Sequence, residues 1–71
     1  MVDTARLRKK VEESGMTYKH IASVIGITVQ ALRLKINNQN EFVASEIVKI
    51  SEILKLSRSE RDAIFFNKPR E

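Results

Sequence analysis

The sequence predicts an all-α domain of five helices, and three observations carry that prediction. Apolar residues recur at intervals of three and four along most of the 71 residues, the period of a helix with one buried face. Helix starts and stops are punctuated by side-chain caps and glycine. No stretch shows the strict alternation of a half-buried strand. The segments that meet these conditions are about 4–14, 17–25, 28–37, 44–54 and 58–66. Residues 1–66 then form one domain, followed by a short flexible tail over 67–71.

The first segment starts near Asp3 or Thr4 and ends at Ser14, with Gly15 beyond it and Leu7 and Val11 on its buried stripe. Its charges oppose the helix dipole: Arg6, Arg8, Lys9 and Lys10 come early and Glu12 and Glu13 late, at an expected cost of a few tenths of a kcal/mol per exposed charge. They read as a solvated basic face, with phosphate contact as the other account. The second and third segments lie in TYKHIASVIGITVQALRLKIN, residues 17–37. Thr17 and Thr28 are each placed to accept a backbone N–H at a helix start. Gly26 between them supplies the left-handed conformation that ends the first of the two helices. With Ile21, Ile25, Ile27, Leu32 and Ile36 apolar and Ala22 small, the pair is built to cross closely, as in a helix-turn-helix. Residues 37–41, Asn-Asn-Gln-Asn-Glu, lack apolar anchors and read as a surface loop. Ile47, Ile50, Ile53 and Leu54 give the fourth helix its apolar face, and Ser57-Arg58-Ser59-Glu60 opens the fifth with a capping box.

Composition narrows the function classes. The chain has no cysteine, so neither disulfides nor thiolates can brace so small a core, and a reducing cytoplasm is the simplest setting. No apolar run approaches the ~20 residues of a membrane span, and no signal-peptide core is evident at the N-terminus. The net charge of +4 is unevenly spread. Residues 1–40 carry seven basic and three acidic side chains, whereas residues 41–71 carry six of each. The excess therefore falls in the half that contains the helix pair, as a phosphate-binding surface requires.

With Thr17, Ile21-Ala22, Gly26-Ile27-Thr28, Leu32 and Ile36-Asn37 in place, the sequence resembles the small phage-type Cro/cI-like regulators of the lambda repressor-like DNA-binding family. The likeness extends to Phe42, Ser45-Glu46-Ile47, Lys49 to Leu54 and Ile64-Phe65-Phe66, so it covers residues 5–66. Three positions depart from that pattern. Tyr18 stands where the family often has a phosphate-clamping Gln, Asn38 where it usually has Gly, and Val43 where a hydroxyl would complete a capping box with Glu46.

The resemblance implies a compact lambda repressor-like domain whose third helix lies in the major groove of operator DNA. Val29, Gln30, Arg33 and Leu34 are the base-contacting candidates it implies. Gln30 suits adenine N6 and N7, Arg33 guanine or a phosphate, and Val29 a thymine methyl. Tyr18, Lys19, Thr28, Lys35, Asn37, Asn38 and Asn40 are the candidates for the DNA backbone, which orient the domain without reading sequence. A domain of this size reads few base pairs, so a homodimer on a pseudo-palindromic site is expected.

Other chemistry finds little foothold. His20 is the single histidine, which leaves no metal site of several histidines, and no nucleophile–base constellation is apparent. Neither an enzyme, a cofactor nor a small-molecule substrate is expected. Phe65 and Phe66 are adjacent, and successive helical residues point ~100° apart, so one of them, with Ile64, is expected on an exposed apolar patch that would serve as a protein interface. That patch, together with Val29, Leu34 and Tyr18, keeps a second function open: a modulator that binds another helix-turn-helix repressor and masks its DNA surface.

Overall fold

The computed structural model describes residues 2–66; the tail expected at 67–71 lies outside the described residues. Five helices follow one another: α1 (Thr4–Ser14), α2 (Tyr18–Ile25), α3 (Val29–Ile36), α4 (Ala44–Ile53) and α5 (Arg58–Phe65). The predicted boundaries differ by a residue wherever a cap had been counted as helix. Among the described residues there is no strand, and no helix is long and apolar enough to cross a membrane.

Local chemistry places most helix ends. Asp3, Thr17, Thr28 and Ser57 accept backbone N–H groups from Arg6, His20, Ala31 and Glu60, respectively. Each satisfies one of the donors a helix start leaves bare. At Ser57 the box is reciprocal, because Glu60 Oε1 accepts the Ser57 N–H at 2.9 Å. Val43 supplies no side-chain acceptor to α4, yet Glu46 Oε1 accepts the Val43 N–H at 3.0 Å, so half of the box is present. Gly26 ends α2 at φ 84°, a conformation that costs glycine nothing.

Helix α2 packs on α3 and α4, while α1 packs on α3 and α5. Their stripes meet in one core of Leu7, Val11, Ile21, Ala22, Ile25, Leu32, Ile36, Ile50, Leu54, Ile64 and Phe65, joined by Val2. The N-terminal segment laces this assembly together. The Asp3 N–H donates to the Ile64 carbonyl at 2.8 Å, and Asn38 pairs with both backbone groups of Val2, accepting its N–H at 2.8 Å and donating to its carbonyl at 2.9 Å. Asn38 is left-handed at φ 63°, as an asparagine in place of glycine allows.

The aromatic end corrects the sequence reading. Ile64 and Phe65 are both core residues, 1% and 6% exposed, and only Phe66 is on the surface, at 52%. Phe65 meets Phe42 edge to face, with centroids 5.3 Å apart, a geometry favoured by aromatic quadrupoles. The Arg61 guanidinium lies 5.8 Å from the Phe66 ring centroid. Ile64 therefore does not contribute to an exposed patch; Val43, Val48 and Phe66 are the large apolar side chains exposed at this end.

Candidate nucleic-acid interface

The outer surface of α3 is set by how the helix is held. Its inward residues Leu32 and Ile36 are fully buried, and Thr28 fixes its start. All four of its final carbonyls are satisfied. Arg33, Leu34 and Lys35 accept the N–H groups of Asn37, Gln39 and Asn38 at 3.0, 2.8 and 3.2 Å, and Ile36 accepts the Thr4 hydroxyl of α1 at 2.7 Å. The helix end thus presents no bare acceptor.

The base-contacting candidates separate into two kinds. Gln30 and Arg33 are exposed, whereas Val29 and Leu34 are half-buried, with Val29 packed on the core. Among the described residues Gln30 has no hydrogen-bond partner, so its amide is free to pair. Arg33 is not loose: its guanidinium sits 5.9 Å from the centroid of the Tyr18 ring, a cation–π contact that holds it toward α2.

The backbone candidates divide as well. Lys19, Thr28, Asn37 and Asn40 are exposed, and Tyr18 is half-buried against the core. The Thr28 hydroxyl accepts the Ala31 N–H but retains its own proton for donation. Lys35 must be withdrawn from this set. Its ammonium donates to Glu46 Oε1 at 2.5 Å, the two side chains being only 13% and 11% exposed. A cation so paired and covered is not available to a phosphate. Asn38 is withdrawn for a similar reason, since both atoms of its amide are committed to Val2.

Burial of the Glu46 carboxyl pushes its pKa up, but the Lys35 hydrogen bond, the Val43 N–H and the charges of Lys35 and Lys49 together outweigh this and hold it below the ordinary carboxylate value. The pair ties the last turn of α3 to the first turn of α4.

Arg8 is the residue whose specific place the sequence did not reveal. Its guanidinium donates to Asn37 Oδ1, across 29 residues of chain. Within the basic run of α1, Arg6 pairs with Asp3 at 3.2 Å and Lys10 pairs with Glu60. The only available signal was helical position: Thr4 and Arg8 share an i,i+4 stripe, which the fold turns toward α3, and Arg6 and Lys10 share the stripe on the other side of Leu7. Among the described residues no group of three His, Cys, Asp or Glu side chains is arranged to hold a metal ion. No protein-family model, characterised protein or solved structure matches the chain.

Proposed function

We propose that this chain is a sequence-specific DNA-binding transcriptional regulator of the phage-type Cro/cI kind, reading operator DNA with α3, acting in the cytoplasm and requiring no cofactor or catalytic step. The supporting observation is the state of the α3 outer face. The Gln30 side chain stands exposed and unpartnered on a helix whose start is capped by Thr28 and whose C-terminal carbonyls and inward side are engaged. Such a helix is a firm support for a free amide that can pair with a base edge. The resemblance carried by residues 5–66 supports the same reading, and a homodimer on a pseudo-palindromic operator follows from the small footprint of one domain.

The rival role, a modulator that masks another repressor, draws on an apolar α3 surface with Tyr18 and on the aromatic end of α5, where Phe66 alone of the expected patch is exposed. Val29 and Leu34 are both half-buried, which leaves that surface more polar than masking by hydrophobic contact would favour. Mobility-shift titration of the pure chain on its neighbouring promoter DNA, with and without a co-expressed repressor, separates the two. A tight shift by the chain alone supports the regulator. Absence of any shift on promoter fragments, combined with a stable 1:1 complex with a repressor, overturns it. In the same assay Gln30→Ala is expected to cost ~1–3 kcal/mol on the operator and almost nothing on random duplex; equal losses on both would remove Gln30 from base reading.

A further inference from the structure

Arg8, Tyr18, Arg33, Ile36 and Asn37 line one open cleft where α1, the start of α2 and the end of α3 converge. Two of these five side chains are cationic, and among the described residues no carboxylate lines the cleft and neither guanidinium has an ion-pair partner. This sets them apart from Arg6, Lys10, Lys35 and Arg61, each of which contacts a carboxylate. The partners of Arg8 and Arg33 are neutral instead. Asn37 Oδ1 accepts from Arg8, and the Tyr18 ring lies under Arg33. Both tethers restrict the guanidinium without cancelling its charge, and they leave most of its five N–H donors unused.

The backbone around the cleft points the same way. Tyr18, the first residue of α2, lines the cleft, so the N-terminal, positive end of that helix borders it, although the Thr17 hydroxyl already takes the His20 N–H. The C-terminal end of α3, which would repel an anion, has its last four carbonyls already bonded.

We propose that this cleft is an anion site that holds one phosphate of the DNA backbone between Arg8 and Arg33, with Asn37 and Tyr18 orienting the two guanidiniums. The choice of a phosphodiester as ligand rests on the DNA-binding reading above. It moves Arg33 from base reading to backbone clamping and adds Arg8, an α1 residue, to the interface. Two forked donors converging on one tetrahedral anion give bidentate geometry that a lysine pair would lack.

Two measurements test it. In the first, the ¹⁵N-labelled free chain is titrated with inorganic phosphate against chloride at equal ionic strength. Saturable shifts of the Arg8 and Arg33 Nε–H and Asn37 side-chain amide resonances are expected, with loss of the shifts elsewhere in the cleft when Arg8→Ala and Arg33→Ala are combined. Absence of saturable shifts, or undiminished shifts in the double variant, overturns the site. In the second, duplex affinity is measured across salt concentrations. The double variant, checked by thermal melting to be folded, is expected to lower the log–log salt slope by ~0.9, the value for one phosphate, on operator and random duplex alike. An unchanged slope, a drop near twice that size, or a relaxed base preference in Arg33→Ala alone overturns the shared clamp. Saturable phosphate binding in the cleft without any duplex binding would keep the anion site and remove DNA as its source. Duplex binding by a chain whose cleft ignores phosphate would remove the site and leave the DNA-binding reading standing.

Discussion

The two ends of the molecule treat charge and apolar surface in opposite ways. Where α1, α2 and α3 meet, Arg8 and Arg33 are exposed cations held by neutral partners, and the nearby apolar residues Val29 and Leu34 are half-buried. At the α4–α5 end, Glu60 faces Lys10 and Asp62 faces Arg61, while Val43, Val48 and Phe66 are each more than half exposed. Of the seven cations in residues 1–40, ion pairs engage Arg6, Lys10 and Lys35; Arg8 and Arg33 come together in the cleft, while Lys9 and Lys19 are exposed outside it. A cleft that gathers two unpaired cations and no carboxylate suits a polyanion, whereas at the other end Lys55 and Arg58 line a cleft that also holds Glu52. The buried Lys35–Glu46 pair lies at the seam between them.

Breaking that seam is expected to have one of the largest effects. Glu46→Ala strands the covered Lys35 ammonium and removes the acceptor of the Val43 N–H, and loss of one partner from a buried pair typically costs ~3–5 kcal/mol. Denaturant unfolding should register this as most of the stability of so small a domain. Acid should erode the same contact. The folded carboxyl titrates below its unfolded counterpart, so the stability it contributes is whole above the ordinary carboxylate range and is lost as pH falls through the depressed folded value. Glu46→Gln should flatten that portion of the stability–pH curve; a curve that keeps its wild-type slope would show that other carboxyls carry it.

Adjacent phenylalanines draw the boundary of the apolar pole. Phe65→Ala removes a core ring that packs on Phe42 and is expected to cost ~3–5 kcal/mol. Phe66→Ala acts on a half-exposed ring and should cost less than ~1 kcal/mol, with thermal melts of the two variants read side by side. Similar losses in both would mean that Phe66 is as deeply packed as its neighbour. A smaller change sharpens the same pole in the opposite sense. Val43 is 53% exposed at the N-cap of α4, so Val43→Thr should complete the box that Glu46 has half built and stabilise the domain by ~0.5–2 kcal/mol. A lowered melting temperature would show that the lost methyl packs better than the hydroxyl caps.

The elements were legible because their causes are local. Thr17 with His20, Thr28 with Ala31 and Ser57 with Glu60 each join residues three apart, so residue type and spacing were enough to place those helix starts. The apolar period likewise named Leu7, Val11, Ile21, Ile25, Leu32, Ile36 and Ile50 as core positions. The exposed part of the candidate site, Gln30 and Arg33, was equally legible, since neither lies on the inward stripe of α3.

Tertiary structure decided what the remaining side chains do. Lys35 meets Glu46 across 11 residues, Arg8 meets Asn37 across 29 and Asn38 meets Val2 across 36. Each partner depends on the rotation and crossing of two packed elements, and a single residue step turns a helical side chain by ~100°. Small differences in packing therefore choose whether a lysine faces a carboxylate or solvent, and which of two successive phenylalanines enters the core. Sequence by itself determined that there would be five helices, with a capping hydroxyl missing at the fourth, and a basic first half. Which cations in that half remained unneutralised was determined only when the helices packed, because pairing requires two charges to occupy the same few ångströms and spacing along the chain does not specify that distance.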